Sequence, residues 1–218
     1  VKILFIDGPP GVGKTTLAAE VAGLLPAYRL YYEMDRDHPL HPAPISDMGA
    51  DFSELQDLSP KEISGLFLER WKAFLQNRGK LEGVILESYP YQCHTRVLWQ
   101  SNASASEIQR WHASLYRLLK GHQPFLAMIQ VKDPLAHSRA TFELRGAEWS
   151  DFIGEFVCRT PAGVASGAGG VEGAIRLLAG YATELNRWEK EWPFAGIELK
   201  ARSGSPREMA GQVVSQLP

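Results

Sequence analysis

The chain has 218 residues, 44% of them hydrophobic and 22% charged, with 23 Lys and Arg against 25 Asp and Glu for a formal net charge of −2. That length suffices for one well-filled core, and the near-neutral balance excludes the broad basic surface of a general nucleic-acid binder. The two cysteines, Cys93 and Cys158, lie far apart, which argues against a disulfide scaffold or a cysteine-rich zinc site and points to a reducing compartment. No apolar run approaches the roughly 20 residues of a membrane span. The first residues read as a buried strand entering a glycine-rich loop, so no signal peptide is expected. The expectation is a cytoplasmic protein with one domain over 1–218.

Residues 2–7 form a short, nearly continuous apolar run, the pattern of a strand buried on both faces. Gly8 to Gly13 reads as a turn, and Lys14 to Leu25 as a helix with apolar residues at Leu17, Val21 and Leu24. A second strand is expected over Tyr28 to Glu33. The polar, proline-punctuated stretch from Met34 to Ser59 is too long for an ordinary connection. Helix starts are legible after it. Ser59 with Pro60 and Glu62, Ser104 with Glu107, and Ser205 with Pro206 and Glu208 each have capping chemistry, and Asp133-Pro134 is a simpler capped start. Further strands are expected at Gly83–Glu87, Phe125–Val131 and Gly196–Lys200. The alternation of strands and helices predicts an α/β domain, a mainly parallel five-stranded sheet covered on both faces in three layers. Arg139 to Gly170 does not fit the repeat, and its small-residue end, 160–170, reads as a mobile or disordered loop.

Gly8-Pro9-Pro10-Gly11-Val12-Gly13-Lys14-Thr15 satisfies G-x-x-x-x-G-K-[ST], between a strand and a helix as the pattern requires. Glycines let the backbone curl so that its N–H groups face phosphate oxygens, and the helix N-terminus adds partial positive charge. Lys14 is expected to reach the β- and γ-phosphates, the Thr15 hydroxyl to ligate Mg2+, and Thr16 to line the same first turn. The expected cofactors are ATP and Mg2+. No Asn-Lys-x-Asp segment is present to read guanine, which argues against a GTP switch.

The phosphate loop, the acidic end of the second strand, Glu87-Ser88 at the end of the third and the later arginines of Arg139–Arg145 together resemble the thymidylate kinase and deoxynucleoside kinase superfamily. Those kinases have Glu at the second strand's end, matched by Glu33, and Glu-Arg-Ser at the third, of which this chain lacks the Arg. The segments Tyr32–Pro39, Glu87–Gln92 and Arg145–Trp149 are similar to a little-characterised bacterial group of thymidylate kinase-like proteins. The resemblance implies a P-loop fold with a helical acceptor-binding insert near 34–78 and a lid near 139–170. It implies that Arg139 and Arg145 close over the transferring phosphoryl group, that Gln92 contacts the acceptor, and that Ser203 and Gly204 pack against adenine.

Glu33 or Asp35, at the second strand's end, is expected to orient or deprotonate the acceptor. Glu87 faces the phosphates as a water-mediated Mg2+ ligand or an acceptor contact, and Tyr91, following on the same loop, is a further expected substrate contact. His38 and His41 form His-Pro-Leu-His, read as pocket lining rather than a zinc site, because Pro39 disfavours a helix there. The sequence thus predicts a phosphotransferase acting on a small-molecule acceptor, a nucleoside, nucleoside monophosphate, sugar or antibiotic. Neither nucleic acid nor membrane is an expected partner, and the expected assembly is a monomer or homodimer. The alternative is a nucleotide-binding regulatory or ATPase module that transfers phosphate only to water.

Overall fold

The apolar run at the start of the chain becomes β1, Lys2–Asp7, the central strand of a sheet in the computed structural model, which describes residues 2–41, 45–46, 49–50, 55, 57–77 and 81–218. Four more strands join it: β2 (Tyr28–Tyr31), β3 (Gly83–Glu87), β4 (Pro124–Gln130) and β5 (Ala195–Lys200). Their order is β2-β3-β1-β4-β5, and every neighbouring pair is parallel. All five carboxyl ends therefore lie along one edge of the sheet, where ligands of open parallel sheets bind.

Successive side chains of a strand point to opposite faces, and both faces of β1 are apolar. Ile3 and Phe5 join Val84, Leu86, Leu126 and Met128 beneath α2 (Pro60–Asn77), α4 (Ala105–Leu119) and α8 (Gly170–Trp188). Leu4 and Ile6 join Ile85, Phe125 and Ile129 beneath α1 (Lys14–Leu24) and α9 (Pro206–Ser215). This double coverage makes three layers. The caps read from sequence are all formed: Ser59, Ser104 and Ser205 each accept the N–H three residues on, as does Asp133 from Ala136. Between β3 and α4 the chain makes one π-helical turn, Tyr91–Thr95, and a short helix, α3 (Arg96–Gln100).

Two expected elements differ. β2 stops at Tyr31, two residues before the expected end, because the Tyr32 N–H turns to the Asp35 carboxylate at 2.8 Å instead of extending the ladder. The 139–170 block is helical. Pro134–Arg145 is α5, Ala147–Arg159 is α6 and Pro161–Ala165 is α7; α5 and α6 share a small core with α8 formed by Phe142, Val157, Ala174, Ile175 and Leu178. In 160–170 Gly163 serves close approach, whereas among the described residues nothing comes near a Cβ placed on Gly167, Gly169 or Gly170. A Cβ on Gly163 would collide with the Val157 carbonyl, and Thr160 caps α7 through the Gly163 N–H. Composition alone does not distinguish a flexible glycine-rich segment from one that lets two backbones touch.

Within the long Met34–Ser59 stretch, Ile45–Ser46 pairs antiparallel with Gly49–Ala50. Residues 42–44, 47–48, 51–54, 56 and 78–80, all or partly within the expected acceptor-binding region 34–78, lie outside the described residues. Among the described residues no helix is long and apolar enough to cross a membrane.

Candidate active site

The carboxyl end of β1 leads directly into the phosphate loop. Its glycines adopt torsions that side chains resist: Gly8, Gly11 and Gly13 have φ of 149°, 80° and 93°. Two of them also sit where a Cβ has no room, Gly8 against the Ile129 carbonyl at 2.6 Å and Gly11 against the Thr141 hydroxyl at 2.6 Å. Around Gly13 nothing approaches, so this part of the loop stands open. Gly13 caps α1 without a side-chain hydrogen bond, and no acidic residue occupies the helix's first turn. The first-turn N–H groups are thus left for an anion. Lys14 is buried and donates from Nζ to the Pro9 carbonyl at 3.1 Å, while Thr15 and Thr16 are exposed beside it.

Glu87 is the hub of the site. Only 4% exposed, it accepts the Thr15 hydroxyl at 3.2 Å and the Ser88 hydroxyl at 2.9 Å on Oε1, and the Glu33 backbone N–H at 2.9 Å on Oε2. One carboxylate therefore joins the nucleotide loop, its own strand end and the chain segment after β2. Glu33 in turn forms an ion pair with Arg96 at 3.6 Å, both side chains about one-fifth exposed. Arg96 thus supplies a cation beside Glu33, while Ser88, which follows Glu87, spends its N–H and hydroxyl on Ile6 and Glu87.

Asp35 is brought near but used differently, its carboxylate holding the turn at Tyr32. Gln92 is buried at the start of the π-helical turn, and its Oε1 has no hydrogen-bond partner among the described residues. Tyr91 points into the core, where its hydroxyl meets Tyr116 at 2.9 Å and the Trp188 carbonyl at 3.4 Å. His38 is buried, stacked on Tyr89 at 4.5 Å, and accepts the Leu40 N–H on Nδ1 at 3.1 Å, and its Nε2 has no hydrogen-bond partner among the described residues. Burial, reinforced by the His41 charge, pushes its pKa down to about 3, so the ring is neutral. Trp71 sits in the core and donates to His94 Nδ1 at 3.1 Å.

The two arginines of α5 diverge. Arg139 is held by a two-pronged pair to Glu172 of α8, at 2.9 and 2.8 Å, whereas Arg145 lies over the Trp149 ring at 5.6 Å. Six residues on a helix correspond to about 240°, so they cannot share a face. Arg145 instead continues the His137–Thr141 row that packs against the phosphate loop. Ser203 and Gly204 occupy the turn after β5, where the Ser203 N–H bonds the Lys200 carbonyl at 3.1 Å and the neighbouring Arg202 charge acts on His137.

Two residues escaped the sequence reading. Asp7, fully buried at the end of β1, accepts the Gly8 N–H at 2.7 Å, the Tyr91 N–H at 2.7 Å and the Gln92 N–H at 3.1 Å. Burial raises its pKa to about 7, against the opposing pull of Lys14 and the three N–H donors. His137 grips the loop from α5, with Nε2 at 2.7 Å from the Pro10 carbonyl. The only signal for Asp7 was an acid closing an otherwise apolar strand; His137 gave none.

No protein-family model matches the chain, and no curated protein matches it. Solved structures do share its architecture over essentially its whole length. The YorR protein from Bacillus subtilis, in complex with phosphorylated GDP, superposes with a TM-score of 0.56 at 13% identity, covering 99% of this chain and 94% of that one. Deoxyadenosine kinase from M. mycoides with bound dATP gives a TM-score of 0.53 at 14% identity, covering 100% and 99%. A tRNA isopentenylpyrophosphate transferase from Bacillus halodurans gives 0.51 at 9% identity, covering 99% and 96%. Five parallel strands between helical layers, with the phosphate loop after the central strand, give this chain the P-loop nucleotide kinase-like fold.

Proposed function

We propose that the protein is an ATP-dependent phosphotransferase that moves the γ-phosphoryl group to a hydroxyl of a small-molecule acceptor. The observation that carries this reading is the Thr15–Glu87–Glu33 chain, which ties the nucleotide loop to a carboxylate on the acceptor side. Two of the fold's solved relatives, a protein bound to phosphorylated GDP and a deoxyadenosine kinase bound to dATP, support a nucleotide at the loop.

In this reading the acceptor hydroxyl gives its proton to Glu33 as its oxygen forms a bond to the γ-phosphorus. The bond from that phosphorus to the β,γ-bridging oxygen breaks, and ADP leaves. Lys14 and the open loop N–H groups offset charge on the phosphates, and Arg145, with Arg139 once released from Glu172, closes from the 139–170 lid. The Thr15 hydroxyl and Glu87 carboxylate are hard oxygen ligands suited to Mg2+, which when bound supplies charge neutralisation to the phosphates. Ser203 and Gly204 take the adenine edge. The acceptor enters between Glu33, His38 and Gln92, with the 34–78 region around it. A hydroxyl fits better than a phosphate, because the Arg96 cation is already paired with Glu33.

The test is ATP turnover against a panel of nucleosides, nucleoside monophosphates, sugars and aminoglycosides. A hydroxyl compound is expected to raise turnover, and turnover unmoved by every compound would hand the site to the regulatory or ATPase reading. With the acceptor in hand, Glu33→Gln is expected to lower kcat by roughly 10²- to 10⁴-fold, and Asp35→Asn by far less. The reverse ranking would place the base on Asp35.

A further inference from the structure

The helix that carries the lid arginines is bonded directly to the phosphate loop. His137 Nε2 lies 2.7 Å from the Pro10 carbonyl, in the middle of the loop. A carbonyl oxygen only accepts, so Nε2 carries the hydrogen. Burial lowers the ring's pKa, the Pro10 bond opposes that, and the Arg202 and Lys14 charges lower it further, which keeps the imidazole neutral. One turn on, Thr141 donates its hydroxyl to the His137 carbonyl at 2.9 Å and presses against Gly11, where even a methyl group would not fit. Pro10 and Gly11 are consecutive, so α5 meets the loop at adjoining residues, one through a hydrogen bond and the other through contact. The Pro10 carbonyl is thereby turned toward α5. A carbonyl pointing inward would present a negative dipole where the loop must present N–H donors.

We propose that His137 is a positioning residue for the phosphate loop: its Nε2–H holds the Pro10 carbonyl outward, keeping the loop competent for a nucleoside triphosphate and tying the seating of α5 to that loop. This rests on the nucleotide-site reading above. It predicts that a side chain able to donate from the same reach will substitute, while one that cannot donate will not. Gln places its amide nitrogen near the position of Nε2, so His137→Gln is the conservative variant and His137→Ala the null.

The experiment is titration of the full chain with a fluorescent ATP analogue and with ATP itself, on wild type, His137→Ala, His137→Gln and Lys14→Ala, with circular dichroism and thermal melting on each. His137→Ala is expected to bind about five- to tenfold more weakly, the size of one net hydrogen bond. His137→Gln is expected to recover to within about threefold of wild type. Equal affinity in wild type and His137→Ala overturns the inference, as does equal weakening in Ala and Gln variants that melt like the wild type. If His137→Ala does not fold, His137→Gln still decides the matter by whether it binds as the wild type does. Lys14→Ala separates the two readings. Should it bind ATP normally, the nucleotide site itself is misplaced. Should it lose binding while His137→Ala keeps it, only the role of His137 falls.

Discussion

Lys14→Ala is expected to cut phosphotransfer by on the order of 10³-fold and, unlike Glu33→Gln, to weaken ATP binding as well. Three observations combine to give it that weight. The side chain is 6% exposed, so its charge acts through little screening water. Its Nζ rests on the Pro9 carbonyl of its own loop, a neutral partner that a phosphate oxygen would displace at small cost. The first turn of α1 has no side-chain cap and no acidic residue, so no carboxylate of that turn competes with a phosphate for Lys14. Titration with ATP, followed by turnover once the acceptor is known, checks the expectation. A Lys14→Ala variant binding within about twofold of wild type would sink it.

Asp7 carries the second large effect, on stability. Its carboxyl has a pKa of about 7 in the folded protein against 3.8 ordinarily, so the folded state holds a proton that the unfolded chain has already released between those values. Its contribution is therefore fully present below about pH 4 and is lost as pH rises through about 7. From about pH 5 to about pH 8 the stability of wild type relative to Asp7→Asn is expected to fall by roughly 2–3 kcal/mol. The comparison with Asp7→Asn matters because other groups move the opposite way. His38, His94 and His112 are buried neutral with pKa values pushed to about 3 by desolvation, so their contributions are present above pH 6.5 and lost as pH falls. Chemical denaturation of both proteins at the two pH values reads the difference. Equal pH slopes would mean that Asp7 does not titrate where its surroundings put it. Lys14 lowers the Asp7 pKa, so the effects of Lys14→Ala and Asp7→Asn are expected not to add.

Much of this was legible in the chain itself because its signals are local. The phosphate loop is contiguous, and its glycines adopt positive-φ torsions that side chains resist. The Ser59, Ser104, Asp133 and Ser205 helix starts were readable because each cap is closed within three residues. Glu33 and Glu87 stood out as acids ending or following apolar strands. Where sequence reading went astray, the deciding partner was far along the chain. The 160–170 segment read as loose until Gly163 met the carbonyls of α6, and Tyr91 read as a substrate contact until its ring found Tyr116 and Trp188. Spacing put Arg139 and Arg145 on one helix but not on one face, and only Glu172 and Trp149 show where each is held.

The sequence by itself determined the phosphate loop, the capped helices and the alternation that makes a parallel sheet, since backbone torsion, capping and periodicity are properties of neighbours. Tertiary structure alone decided which acids and cations meet. Glu87 reaches Thr15 across 72 residues and Glu33 across 54, and Arg96 pairs with Glu33 only because the order β2-β3-β1 lays those strand ends side by side. It alone turned Asp7 from the last residue of a strand into a buried proton-holding group, and His137 from one of six histidines into the grip on the loop. The physical reason is that charge pairing and desolvation depend on distance in space, which the fold sets and local sequence does not.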